Sequence, residues 1–276
     1  MMLAVITIVH GRHDHLALQQ AGLHRSTHRP DLHVVVAMDD LALEEDLDPV
    51  PWPRRIVHLA RSGRHLPLAR ARNIGAQTAI AAGATTLVFL DVDCVPAEPL
   101  LAAYAAAATH AVTCRDLLCG PVTYLPPPPA GGYDLTDLDS LAEPHAARPA
   151  PPAGTVERTR HGYELFWSLS FALSHEAWYD IGGFDEAYVG YGGEDTDFAR
   201  RAEGLGTALT WVGDARAFHQ HHPVSTPPVE HVEDVVRNAT LFHERWGEWP
   251  MTGWLTAFEE RGLVRRRADG SYGDVR

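Results

Sequence analysis

Four groups of residues in this 276-residue chain carry side chains that can do chemistry. Asp91 and Asp93 stand two residues apart in LVFLDVDCVP, at the end of an apolar run. Carboxylates at i and i+2 of a strand project to one face, where they can share a hard divalent cation and the phosphates it binds. The segment GRHLPLARARNIGAQTA sets Arg70, Arg72 and Asn73 where a loop runs into a helix, with Gly75 permitting close approach of backbone to a neighbour or ligand. The start of a helix favours anions, and guanidinium groups there add bidentate recognition of phosphate or carboxylate. In GGFDEAYVGYGGEDTDFARRAE, Gly190, Gly192 and Gly193 surround Tyr191, and Glu194, Asp195 and Asp197 fill the first turn of the next helix. The helix dipole explains the acids but not the glycines, whereas a Gly-aromatic-Gly-Gly loop that delivers carboxylates to a site explains both. One of those carboxylates would accept a proton from a hydroxyl, and at a helix N-terminus it must regain basicity from burial or neighbouring acids. Finally, RAFHQHHP brings His219, His221 and His222 close together, more imidazole than a core holds and suited to a borderline metal.

These groups need elements to place them. Leu3 to Val9 (LAVITIV) and Leu32 to Met38 (LHVVVAM) are continuous β-branched runs, as in strands of a parallel sheet covered on both faces. A helix is expected from His13 to His24, a short strand at Arg55 to Leu59, a helix from Ala69 to Ala82 stopped by Gly83, and a strand at Thr85 to Leu90. Further elements are a helix at Glu98 to Thr109, a strand at Gly120 to Leu125, ordered chain from Tyr163 to Leu173, helices at His175 to Ile181 and Glu194 to Leu205, and a strand at Ala208 to Val212. Strands alternating with helices, with polar residues just past the strand ends, define a doubly wound α/β fold. Four regions follow: a ligand-binding half at 1–125, a Pro/Gly-rich insertion at 126–160, a catalytic half at 161–262 and a flexible tail at 263–276. The prolines of 126–154 are expected to keep that stretch out of any core, as a mobile or polyproline-like excursion or a substrate-gating loop.

Composition bounds the function. Hydrophobic residues at 45% allow a real core in a single domain, and 23 Lys+Arg against 36 Asp+Glu give a formal net charge of -13 with 17 His neutral. Such a charge opposes general nucleic-acid binding, so an anionic ligand must be held by local basic groups or a metal. Cys94, Cys114 and Cys119 form neither a disulfide framework nor a four-ligand zinc cage. No apolar stretch is long enough for a membrane span, and a soluble cytoplasmic protein is expected. No G-x-G-x-x-G follows the first strand, which argues against a dehydrogenase.

Taken in chain order, the four groups resemble a nucleotide-sugar-dependent glycosyltransferase of the GT-A fold. The likeness is to the large family 2 type, with a later segment similar to β-1,4-galactosyltransferase and polypeptide N-acetylgalactosaminyltransferase catalytic domains. It covers about residues 3–125 and 163–223. The resemblance implies a Rossmann-like α/β domain with a mostly parallel central sheet. It places Thr7, Val9, His10 and Arg12 along the base, Asp39 and Asp40 on the nucleoside, and Arg70, Arg72 and Asn73 near nucleotide and sugar. It makes Asp91 and Asp93 the D-x-D, with Asp93 the more direct ligand of Mn²⁺ or Mg²⁺, Asp91 beside ribose or sugar, and His219 or His222 completing the metal site. Gly192-Gly193-Glu194-Asp195 matches the family's Gly-Gly-Glu-Asp, in which the Asp is the base; Tyr191 stands where that motif has a Trp, and Trp167 belongs with Tyr191 on the acceptor side. The implied reaction is inverting transfer of a sugar, from a UDP-sugar by preference, to an acceptor hydroxyl on a glycan, lipid-linked sugar or small metabolite. The alternatives are a metal-dependent hydrolase using His219 and His222, although no H-E-x-x-H accompanies them, and a non-catalytic nucleotide-sugar-binding module.

Overall fold

A computed structural model describes residues 1–61 and 63–274. The first half runs β1 (Leu3–Val9), α1 (His13–Arg25), β2 (Leu32–Met38), α2 (Leu43–Asp46), β3 (Arg54–Leu59), α3 (Leu68–Ala81) and β4 (Thr86–Leu90). Every residue of β1, β2 and β4 is buried, as continuous apolar runs require when helices cover both faces of a sheet. These strands pair in parallel in the order β3-β2-β1-β4. Gly75 of α3 is needed for packing, since a Cβ there would lie 2.5 Å from Ile6 Cγ2 of β1.

The second half is more mixed. It contains β5 (Cys94–Pro96), α4 (Leu100–Thr109), β6 (Leu117–Cys119), β7 (Val122–Tyr124), α5 (Leu138–Leu141), β8 (Glu143–Pro144), β9 (Val156–Thr159), β10 (Ser170–Ser174), α6 (His175–Ile181) and α7 (Glu194–Gly204). It continues with β11 (Leu209–Val212), β12 (Ala217–His219), α8 (Val232–Trp246), α9 (Thr252–Glu260), β13 (Val264–Arg266) and β14 (Tyr272–Asp274). The main sheet has eight strands in the order β3-β2-β1-β4-β10-β6-β11-β9. β10 runs antiparallel between β4 and β6, β11 is parallel to β6, and β9 closes the edge antiparallel. A second sheet, β5-β12-β7-β8, stands at the carboxyl end of β4. One face of the main sheet packs an aromatic cluster in which the Phe89 and Phe171 rings stack at 4.4 Å and the Phe184 and Phe198 rings at 4.6 Å. No helix among the described residues is long and apolar enough to cross a membrane.

Three expectations need revision. The strand expected at Gly120 to Leu125 is shorter, β7 (Val122–Tyr124), and stands in the second sheet, while β6 just before it joins the main one. The Pro-rich stretch does pack: Leu138 is buried with Leu125, Val95 and Phe218, and Leu135 and Leu141 lie against them. Its leucines, spaced three apart between the prolines, supply the apolar edge that composition alone conceals. The tail contains the β13-β14 hairpin, with Val264 buried against α8 and α9; Val275 and Arg276 lie outside the described residues.

Candidate active site

The site is built where β4 ends. Asp91 to Asp93 form a turn closed by a 2.8 Å bond from the Cys94 amide to the Asp91 carbonyl, so the i, i+2 geometry of a strand does not hold there. The two carboxylates consequently part. Asp93 meets His219 and His222, with Nε2 of His219 3.5 Å from Oδ1 and Nε2 of His222 3.3 Å from Oδ2. The register explains this, because β12 pairs antiparallel with β5 and sets His219 opposite Cys94, next to Asp93. Gln220, a residue the sequence reading passed over, locks the turn by donating its amide to the Asp93 carbonyl at 2.7 Å.

The ligand atoms of Asp93, His219 and His222 lie within 4.8 Å of one another. One carboxylate and two imidazoles, open to a cleft on one side, make a suitable donor set for a divalent metal cation. Burial lowers the His219 pKa, which keeps the imidazole neutral as a ligand must be. Against the cost of burial, the His222 hydrogen bond and the Arg12 charge hold Asp93 below the usual carboxylate range. The Arg12 guanidinium contacts Asp93 Oδ2 directly. Both imidazoles join this group, whereas His221 is not among the converging ligands and its backbone amide donates to the Tyr133 hydroxyl.

Asp91 belongs to a second cluster and is not among the three converging ligands. Arg72, almost completely buried at the start of α3, donates to Asp91 Oδ1 and Glu194 Oε1, each at 3.1 Å. Although burial opposes its charge, Asp91, Glu194 and Asp195 raise its pKa. Three carboxylates around one guanidinium leave an excess of negative charge. Burial, with help from Asp93 and Asp195, pushes Asp91 up to about 6; burial and Asp195 push Glu194 up to about 7; burial raises Asp195 as well. A carboxylate with raised basicity at the mouth of a cleft is a competent proton acceptor.

Asp91, Asp93, Arg72, His10, Arg12, Trp167, Tyr191, Gly192, Glu194, Asp195, His219 and His222 all line one cleft of about 2190 Å³. That exceeds the roughly 300–1,000 Å³ of a single small-ligand pocket and leaves room for two substrates. Other expected residues do not line it. Thr7 is fully buried, donating its hydroxyl to Gln19 at 2.9 Å, and Val9 packs with Leu16, Val35 and Leu43. Both point into the layers beside β1, because only the residues after a doubly covered strand are free to meet a ligand. Asn73 clamps the backbone of Phe184, Arg70 is exposed near Glu186, and Gly193 packs against Tyr188. Asp39 pairs with Arg61 at 2.8 Å, and Asp40 accepts from the Gly11 amide at 2.9 Å and contacts His13, so both acids hold the loops that follow β1 and β3 instead of facing the cleft.

The walls contain residues that the sequence reading left out. His145 of the insertion stands edge-on to Trp167 at 4.7 Å, while Tyr124 stacks on His219 at 4.8 Å. Tyr191 stacks on His231 at 4.6 Å and on Trp254 at 5.8 Å. His231 and Trp254 belong to the α8 and α9 region, whose helical spacing (Val232, Val235, Val236, Ala239, Phe242) was a readable signal.

This is the architecture of the GT-A glycosyltransferases. A family model described as the N-terminal domain of galactosyltransferase matches residues 155–223, the stretch holding Trp167, Tyr191 to Asp195, His219 and His222. Among solved structures, GalNAc-T7 with UDP, GalNAc and Mn²⁺ is similar with a TM-score of 0.57 and 16% identity, over 95% of this chain and 54% of that one. Residues 1–349 of S. aureus TarS superpose with a TM-score of 0.56 and 15% identity, over 87% of this chain and 65% of theirs. The same TarS fragment in complex with UDP gives 0.55 and 14% over the same shares. The chain thus spans between about half and two-thirds of the length of these proteins. No curated protein matches it by sequence.

Proposed function

We propose that the protein is a metal-dependent, inverting glycosyltransferase that moves a sugar from a nucleoside diphosphate donor, a UDP-sugar, to an acceptor hydroxyl. The observation that carries this reading is the convergence in one cleft of Asp93, His219 and His222 with the Arg72-centred carboxylates. The galactosyltransferase match over the same residues and the UDP and Mn²⁺ of the similar structures support it.

Asp93, His219 and His222 would hold Mn²⁺ or Mg²⁺. Bound there, the ion would neutralise the diphosphate and take up the charge that develops on it as the sugar leaves. Arg72, fixed between Asp91 and Glu194, holds those carboxylates against the donor side of the cleft. Asp195 takes the proton of the acceptor hydroxyl as its oxygen attacks the anomeric carbon, and the nucleoside diphosphate departs from the opposite face. The acceptor is a glycan, a lipid-linked sugar or a small metabolite, and the site of action is the cytoplasm.

A thermal-shift panel of sugar nucleotides with and without Mn²⁺, followed by assay of acceptor-dependent nucleoside diphosphate release, tests the reading. The expected result is a stabilising donor that needs the metal and loses its effect in Asp93→Ala. Asp195→Asn should keep donor binding and lose about 10²–10⁴-fold in kcat. Full activity in Asp195→Asn would remove the base assignment, and the absence of any donor effect would remove the transferase reading.

A further inference from the structure

The chain from Val189 to Gly193, which delivers Glu194 and Asp195, has no regular structure of its own, yet its backbone is held at nearly every residue. The holder is α8, which lies outside the segment matched by the galactosyltransferase family. Asn238, fully buried, places Nδ2 3.1 Å from the carbonyl oxygen of Val189, 3.3 Å from that of Tyr191 and 2.7 Å from that of Gly192. A carboxamide has two N–H groups, so three carbonyls share them and no other side-chain type of this size could serve all three. One turn earlier, Asp234 Oδ2 accepts from the Tyr191 amide at 3.2 Å. Asp234 Oδ1 pairs with His65 at 2.7 Å and Arg237 at 2.9 Å, and Arg237 also donates to the Val189 carbonyl. From the other side the Gly190 amide reaches the Leu66 carbonyl at 3.0 Å. Gly190 has φ +73°, and a Cβ there would lie 2.1 Å from Asp234 Oδ2, so the fit leaves no room for a side chain.

The arrangement bears on catalysis because Gly193 directly precedes Glu194, the first residue of α7. A change in the Gly192 or Gly193 peptide would turn the start of α7 and move Glu194 off Arg72 and Asp195 out of line with the cleft. Burial makes the bonds to Asn238 hard to replace by water. We infer that Asn238, seconded by Asp234, is a positioning residue, which sets the Val189–Gly193 backbone and thereby the place of the Glu194 and Asp195 carboxylates. Its kinetic readout rests on the transferase reading; its structural readout does not.

The test uses the full chain with Asn238→Ala. Amide hydrogen exchange over residues 188–196 should quicken about tenfold or more, while peptides covering β1 and β4 stay as in the wild type. With a sugar nucleotide that the wild type turns over, kcat should fall about 10²-fold, with donor KM and the Kd for UDP in Mn²⁺ within roughly threefold of wild type. Unchanged exchange over 188–196 in a folded variant overturns the inference, as does a kcat that does not fall or a KM that moves with it. If Asn238→Ala does not fold, Asp234→Asn takes its place: it keeps an acceptor for the Tyr191 amide, loses the His65 and Arg237 pairs, and should loosen the same peptides selectively. If the wild type turns over no sugar nucleotide, the transferase reading fails while the exchange comparison still decides the positioning role.

Discussion

Thr7 was expected at the base of a nucleotide and stands instead in a buried polar chain. His33 Nε2 lies 3.1 Å from its hydroxyl, the hydroxyl donates to Gln19, and Gln19 Nε2 donates to the Asp91 carbonyl at 2.7 Å. The network ties the first two strands to the D-x-D turn from behind. Its histidine is fully buried, and burial, with the Arg54 charge, pushes its pKa down to about 3. The folded chain therefore holds His33 neutral, while the unfolded chain takes up a proton below about pH 6.5. Stability contributed by this group is complete above that pH and is lost as the pH falls toward 3, by up to roughly 4 kcal/mol. A plot of Tm against pH should flatten over that window in His33→Gln, and an unaltered slope would contradict the assignment. Residue identity made Asp93, Arg72, Asp195 and the histidines legible, since few other roles fit those types. The direction in which Thr7 and Val9 point was not legible, because a strand buried on both faces has no polar alternation to reveal it.

At the scale of elements, α8 does what no single motif announces. Besides Asn238 and Asp234 at one end, it supplies Arg245 and Trp246 at the other, and these meet Asp197 of α7. The Asp197 carboxylate, fully buried, accepts from Arg245 at 2.7 Å, Arg201 at 2.9 Å and Trp246 at 3.0 Å. Two helices are thus joined through one anion in the interior. Asp197→Ala should cost about 1–3 kcal/mol in urea unfolding, because it strips Arg201, Arg245 and the Trp246 indole of their shared buried acceptor. A loss under about 1 kcal/mol would mean that water already shares the site. Long apolar strands such as β1, β2 and β4 could be read directly, and so could α6, which has a Ser174 cap accepting from the Ala177 amide. Three-residue strands such as β5, β6 and β12 could not. They exist because of partners far along the chain, and their sequences alone carry too few residues for any period to show.

For the molecule as a whole, the net charge of -13 coexists with a cleft lined by Arg12, Arg61, Arg64 and Arg72, so the global sign does not forbid a phosphate-bearing ligand. Regions that looked dispensable from composition turn out to be walls. The insertion contributes His145 to the cleft, and Arg148 lies buried over the rings of Trp167 and Trp211. The C-terminal hairpin buries Val264 and sets Tyr272 edge-on to Trp249 at 4.9 Å, a cleft residue. Removing residues 263–276 should lower Tm by roughly 5 °C through the lost apolar burial. An unchanged Tm on a scanning calorimeter would return that segment to the status of a loose tail.

The trio of Asp93, His219 and His222 has one more consequence, which concerns folding. The chain between the carboxylate and the imidazoles includes α4, the Pro-rich insertion, and strands β6, β9, β10 and β11 of the main sheet. No unfolded chain can hold those three groups together, so a cation taken up there binds the native state alone and acts as a cross-link between the two halves of the fold. At a hundredfold excess over its Kd such an ion would stabilise by about 2.7 kcal/mol. The melting temperature should then fall on chelation in the wild type and stay put in Asp93→Ala, making thermal denaturation a measure of metal affinity that needs no substrate.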